Sequence, residues 1–147
     1  RSANIFGPND FNIKRIVPET IISILSNKKL IIRSSGKQKR DYIFVEDVTR
    51  AYFKLYKYLA KKNGDLKIYN IGSKYNLSTI QIITKIYKIM KINLNFEIKN
   101  FSKSEINNQR LNYSKIKKEL KWKPVHKLDV SLKKTIDWYT KNFTKFR

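Results

Sequence analysis

Arg40 is the residue in this chain best suited to gripping an anion. It follows the Gly36 turn and opens the apolar run Asp41–Val45, and its planar guanidinium can hold two oxygens of a diphosphate at once. A surface ion pair with Asp41 or Asp47 is the plainer use of the same group. Asn4 precedes the Gly7-Pro8 turn, where a side-chain amide can donate to and accept from a ligand, or simply cap the turn. Asn70 stands in the same way before Gly72. Arg15, with Lys14 as its rival, and Arg33 are the other cations at element ends; Arg33 can equally be a charge that blunts a sheet edge. Glu46-Asp47 offers adjacent carboxylates, but at a strand-to-helix junction they are expected to act as helix N-terminal charges and a cap. His126 is the only histidine and there is no cysteine. No metal centre is therefore expected, and His126 is read as a surface residue.

The elements that must carry these groups alternate in type. Arg1–Phe6, Leu30–Arg33, Asp41–Val45, Lys67–Gly72 and Asn93–Ile98 have the composition of strands. Pro18-Glu19 opens a helix whose apolar face is Ile21, Ile22 and Leu25. A second helix is expected from Val48 to about Lys61, with Val48, Ala51, Tyr52, Leu55 and Leu59 inward and Asn63-Gly64 as its stop. Ser78 is the N-cap expected for a helix over Thr79–Lys91, with Ile82, Ile83, Ile86 and Met90 inward. A short helix begins at Ser114, and Asp129 or Ser131 caps a last one through Trp138-Tyr139. Trp122 and Trp138 are expected in core or interdomain packing. The pattern is α/β or α+β.

The formal charge of +22 invites a nucleic-acid or lipid partner. The excess is mostly lysine, however, spread along the chain together with abundant Ile, Asn and Tyr, as an A+T-rich genome would produce. Seven arginines are sparse for a phosphate-tracking groove. Neither nucleic acid nor membrane is expected as partner, and a non-catalytic polyanion-binding module is the competing function of another class. The apolar runs are too short to cross a bilayer and no signal-peptide pattern is present, so a cytoplasmic location is expected.

Four blocks in order carry a family resemblance. They are Arg1-Ser2-Ala3-Asn4-Ile5-Phe6-Gly7-Pro8, then Arg33-x-x-Gly36-x-x-x-Arg40-Asp41-Tyr42-Ile43-Phe44-Val45-Glu46-Asp47, then Tyr69-Asn70-Ile71-Gly72, then Ser114-Lys115-x-x-x-x-Leu120-x-Trp122-x-Pro124. Together they resemble the extended short-chain dehydrogenase/reductase family acting on nucleotide sugars. With Glu105, Gln109 and the Thr135-Ile136-x-Trp138-Tyr139 run, the last block looks most like the CDP-glucose 4,6-dehydratase branch, a 4-epimerase of the same family being the alternative. The resemblance implies that residues 1–147 are the C-terminal portion of an extended enzyme: the last Rossmann strands plus the smaller α/β substrate-binding domain. By that resemblance the N-terminal dinucleotide-binding half is expected to be missing from these residues, as a chain whose first residues read as a strand also suggests.

By the same resemblance, Asn4, Arg15, Ile32, Arg33, Arg40 and Asn70 bind the nucleotide-diphosphate sugar, and Ser2 and Ala3 touch the nicotinamide side of NAD. The complete enzyme is implied to be a homodimer. No catalytic residue is expected here. The four glycines lack the dinucleotide-binding spacing. The matches to Tyr-x-x-x-Lys at Tyr58/Lys62, Tyr87/Lys91 and Tyr113/Lys117 are no more than lysine-rich chance allows, and the family's pair lies before the first strand. Phe6 stands where the family usually has Tyr. Asn9 and Lys121 replace glycines, and Ser102 falls near a second phosphate-binding Arg of many relatives.

Overall fold

The computed structural model describes residues 1–60, 67–101 and 106–146. The Asn63-Gly64 helix stop, Lys62, Ser102 and Glu105 lie outside them.

Strand β1 (Asn4–Phe6) runs parallel to the C-terminal half of β3 (Lys39–Phe44), with Asn4, Ile5 and Phe6 opposite Tyr42, Ile43 and Phe44. The N-terminal half of β3 pairs with two further strands: antiparallel with β4 (Asn76–Ser78) and parallel with β6 (Asn108–Gln109). On its other side, β1 is held to the 69–71 segment. Ser2 and Ile71 form an isolated parallel bridge, and the Ala3 amide donates to the Ile71 carbonyl at 2.9 Å. Only this bridge realises the strand expected over Lys67–Gly72. A separate two-stranded parallel sheet joins β2 (Leu30–Ile32) to β5 (Phe96–Ile98).

Alternation along β1 and β3 sends successive side chains to opposite faces, and helices cover both. Phe6, Tyr42 and Phe44 meet α1 (Ile16–Leu25), α3 (Thr79–Met90) and α5 (Leu128–Lys141) through Val17, Ile21, Ile82 and Leu132. On the opposite face, Ile43 and Ile71 meet α2 (Val45–Leu59) and α4 (Ser114–Leu120) through Val48, Ala51 and Ile116, with Trp122 beneath. The expected α/β class holds as a sheet with helices on both sides.

Local chemistry explains most boundaries. Pro18 is the third residue of α1, inside the turn whose amides have no intrahelical acceptor. Ser78 and Gln81 close a reciprocal capping box at α3. Asn9 and Lys121, both at positions where glycine was expected, have φ of 63° and 50°. Asn tolerates that left-handed backbone; lysine does so at some cost.

Three expectations need correcting. α2 starts at Val45, and its inward stripe is Val48, Ala51, Leu55 and Tyr58, leaving Tyr52 and Leu59 exposed with Phe53 and Tyr56. Both stripes have the three-and-four spacing of a helix face, and packing against Ile116, Leu120 and Trp122 selects the one that is buried. α5 is capped by neither Asp129 nor Ser131: Lys127 is its N-cap, Asp129 sits in the first turn, and the Ser131 hydroxyl donates to the Lys127 carbonyl. His126, expected at the surface, is half-buried. Its Nε2 lies 3.0 Å from Glu46, its Nδ1 is 3.0 Å from Asp47 but out of line for a hydrogen bond, and its ring packs edge-on to Phe44.

Candidate functional site

The β1–β3 pair and the start of α1 enclose a cavity of about 260 Å³, lined by Ala3, Asn4, Phe6, Arg15, Pro18 and Tyr42 among others. Asn4 reaches it because it lies opposite Tyr42 in the parallel register, and neighbours in a pleated pair share a face. Arg15, the residue before α1, comes over from the other wall. Its Nη1 donates to Asp10 Oδ2 at 3.3 Å, and Asp10 also accepts from the Asn12 amide at 3.0 Å.

Arg40 does not line this cavity but lies two residues before Tyr42 on β3, on the same strand face. Its Nη1 donates to the carbonyls of Lys39 and Ile106, tying it to the segment that leads into β6. Its charge is felt at Tyr42: burial pushes that phenol up to about 12, and Arg40 acts in the opposite direction. Tyr42, which sequence reasoning did not single out as a site residue, is 2% exposed and forms part of the cavity wall. Its period-two relation to Arg40 was the available signal.

The remaining candidates lie elsewhere. Ile32 is buried in a small core with Leu30, Ile83 and Tyr87. Arg33 pairs with Glu19 of α1 at 3.0 Å. Asn70 donates to the Asn112 carbonyl at 3.3 Å, beyond β1 from the cavity. Ser2 has a buried hydroxyl oxygen with no hydrogen-bonding partner among the described residues. Such an orphan is costly unless a further group satisfies it, and it lies beside Ala3, which lines the cavity. The Ser2 hydroxyl is thus left with room for a further polar partner.

None of the three Tyr-x-x-x-Lys tyrosines lines the cavity. Tyr87 is buried, donates to the Asn95 carbonyl at 2.8 Å and has its pKa raised by that burial. Lys67 donates to Tyr58, and Tyr113 packs edge-on to Trp122. Among the described residues no cluster of three or more His, Asp or Glu could hold a metal, and no helix is long and apolar enough to cross a membrane.

Asp41 braces the site from the opposite face of β3. It is 2% exposed and accepts from the Ser73 amide and hydroxyl and from the Leu111 amide. Burial outweighs these donors, so its pKa is raised above the ordinary 3.8. A carboxyl shifted upward stabilises the fold fully below its unfolded pKa, and that contribution is lost as pH rises through the folded pKa. In denaturant melts between pH 7 and pH 4, the wild type should therefore gain stability relative to Asp41→Asn as pH falls. A difference independent of pH would refute the assignment.

Comparison with known proteins bears on this arrangement. Residues 1–72 match the model of the NAD dependent epimerase/dehydratase family. The chain is 30% identical over 150 residues to human dTDP-D-glucose 4,6-dehydratase, covering 97% of this chain and 41% of that protein. It is 32% identical over 144 residues to the Arabidopsis thaliana trifunctional UDP-glucose 4,6-dehydratase/UDP-4-keto-6-deoxy-D-glucose 3,5-epimerase/UDP-4-keto-L-rhamnose-reductase, covering 97% of this chain and 21% of that one. The crystal structure of UDP-glucose 4-epimerase with UDP-glucose from Thermotoga maritima superposes with a TM-score of 0.85 at 28% identity, over 97% of this chain and 45% of that one. The chain thus spans less than half the length of the relatives it matches.

Proposed function

We propose that residues 1–147, of which residues 1–72 match the NAD dependent epimerase/dehydratase family, are the C-terminal, substrate-binding part of a nucleotide-sugar 4,6-dehydratase. What carries this reading is the single cavity lined by Ala3, Asn4 and Arg15 together, one residue expected on the cofactor side and two on the substrate side. Arg15 and Arg40 supply positive charge for the diphosphate. Asn4 offers an amide to the same ligand, and Tyr42 closes the wall and keeps water from the sugar end. Held this way, the sugar is presented in one orientation, which is the chain's share of the rate enhancement.

Bound NAD would supply the hydride acceptor and donor, with Ser2 and Ala3 touching its nicotinamide end. The acid–base tyrosine belongs to the part of the family's fold that precedes β1. Asn70 and Arg33 are proposed as outer contacts reached when the ligand is bound, and Ile32 as apolar backing for the strand beside the base.

The nucleotide is the open choice within this reading. The Ser114–Pro124 block resembles CDP-glucose dehydratases, whereas the human and Arabidopsis relatives are named for dTDP- and UDP-glucose. The 28% identical Thermotoga structure favours a second reading, a 4-epimerase. A cytoplasmic homodimer is proposed for the complete enzyme.

Calorimetric titration with CDP-, UDP- and dTDP-glucose tests the proposal, on the chain alone and fused behind the NAD-binding half of the human relative. Micromolar affinity for one of the three is expected, about −8 kcal/mol, and product analysis of the fusion separates a 4-keto-6-deoxy sugar from a 4-epimer. If neither form bound a nucleotide sugar while the chain bound DNA with a steep salt dependence, the polyanion reading would replace this one.

A further inference from the structure

The loop between β1 and α1 brings Arg15 to the cavity, and it is anchored at its tip to the other end of the chain. The Tyr139 hydroxyl of α5 donates to the Asp10 carbonyl. One residue on, Phe11 packs edge-on to Trp138 and stacks on Phe146, with ring centroids at 5.9 and 5.4 Å. Asp10 joins the two halves of this arrangement, since its carbonyl is held by Tyr139 and its carboxylate holds Arg15. The loop has little other means of staying in place. Phe11 and Ile13 are 59% and 52% exposed, Asn9 has a left-handed backbone, and among the described residues the loop's remaining hydrogen bonds are short-range ones within residues 10–15. Tyr139 is wholly buried, and its pKa is raised, first by burial and then by the charge of Asp10, with Arg15 opposing.

We propose that Tyr139 is a positioning residue for the cavity: through the Asp10 carbonyl it fixes the loop that presents Arg15, so the C-terminal helix sets how tightly an anionic ligand is held. This rests on the reading of the cavity as a nucleotide-sugar site. Tyr139 touches no ligand in this scheme and acts only through Arg15. Removing its hydroxyl while keeping the ring, as in Tyr139→Phe, should leave the aromatic packing in place and release the loop.

Two measurements decide it. In amide hydrogen exchange, Tyr139→Phe should speed exchange at Asn12, Lys14 and Arg15 while α3 stays protected; unchanged rates there would overturn the clasp. In a binding cycle with UDP-glucose and dTDP-glucose, Tyr139→Phe should weaken affinity about three- to tenfold in the wild type and have no further effect in Arg15→Ala. An equal loss in both backgrounds, or none in the wild type while Arg15→Ala weakens binding, would overturn the positioning role. If the wild-type chain bound neither nucleotide sugar, the proposed function would fail, and the exchange data would still decide the clasp.

Discussion

Replacing Asp47 with alanine is expected to cost about 3 kcal/mol of folding stability and to lower the melting temperature by about 10 °C. Asp47 is 1% exposed and works at four points. Its carboxylate accepts from the Val125 amide at 3.0 Å, the His126 amide at 3.2 Å and Arg50 Nη1 at 3.0 Å. Its backbone carbonyl accepts from the Trp122 indole at 3.2 Å. Truncation leaves the amides of Val125 and His126 without that acceptor, and a stranded donor costs more than an intact bond contributes. It also removes an anion from between Arg50 and His126. Asp47→Asn keeps one acceptor oxygen and should lose less. Thermal and urea unfolding followed by circular dichroism give the comparison. A loss below 1 kcal/mol for the alanine variant would show that water replaces the carboxylate and that the clip is ornamental.

Arg40→Ala should weaken nucleotide-sugar binding about 10- to 100-fold, the range expected when a charge-assisted contact to a phosphate is lost. The residue shares a strand face with Tyr42, which lines the cavity, and its Nη1 donates to the Lys39 and Ile106 carbonyls. Arg40→Lys should recover only part of the affinity, because an ammonium is a point charge without the planar fork. Because the arginine also tethers the Ile106 segment, melting must be read alongside binding. A loss of affinity with the melting temperature within a few degrees of wild type identifies ligand contact. Unchanged affinity would remove Arg40 from the site and leave it as a tether.

What could be read from the residue order was what is local. The capping pair Ser78/Gln81 and the run Ile82, Ile83, Ile86 define α3 by short-range chemistry alone, and the helix lies where they put it. The inward stripe of α2 was harder, because Tyr52, Phe53 and Tyr56 are as apolar as the residues that are buried, and only the packing of α4 and Trp122 chooses among the possible phases. The strand expected at Lys67–Gly72 has strand composition but only one bridge to β1 at Ile71. Within the site, Asn4, Arg15 and Ala3 converge on one cavity. Tyr42 went unnoticed because an aromatic in an apolar run reads as core, which it also is. Apart from Arg50, the partners of Asp41 and Asp47 lie 32 to 79 residues away, and spacing along the chain carries no trace of contacts made at that range.

The seat of His126 between Glu46 and Asp47 has a practical consequence. As the only imidazole in the chain, it contributes one isolated C2 proton signal to an unlabelled spectrum, and that signal originates where α2, the Trp122–His126 segment and the Phe44 ring meet. The protein therefore carries a built-in resonance at the joint between α2 and the Trp122–His126 segment. Opening of that joint, by heat, denaturant or the Asp47 variant, can be watched at a single atom without introducing a probe.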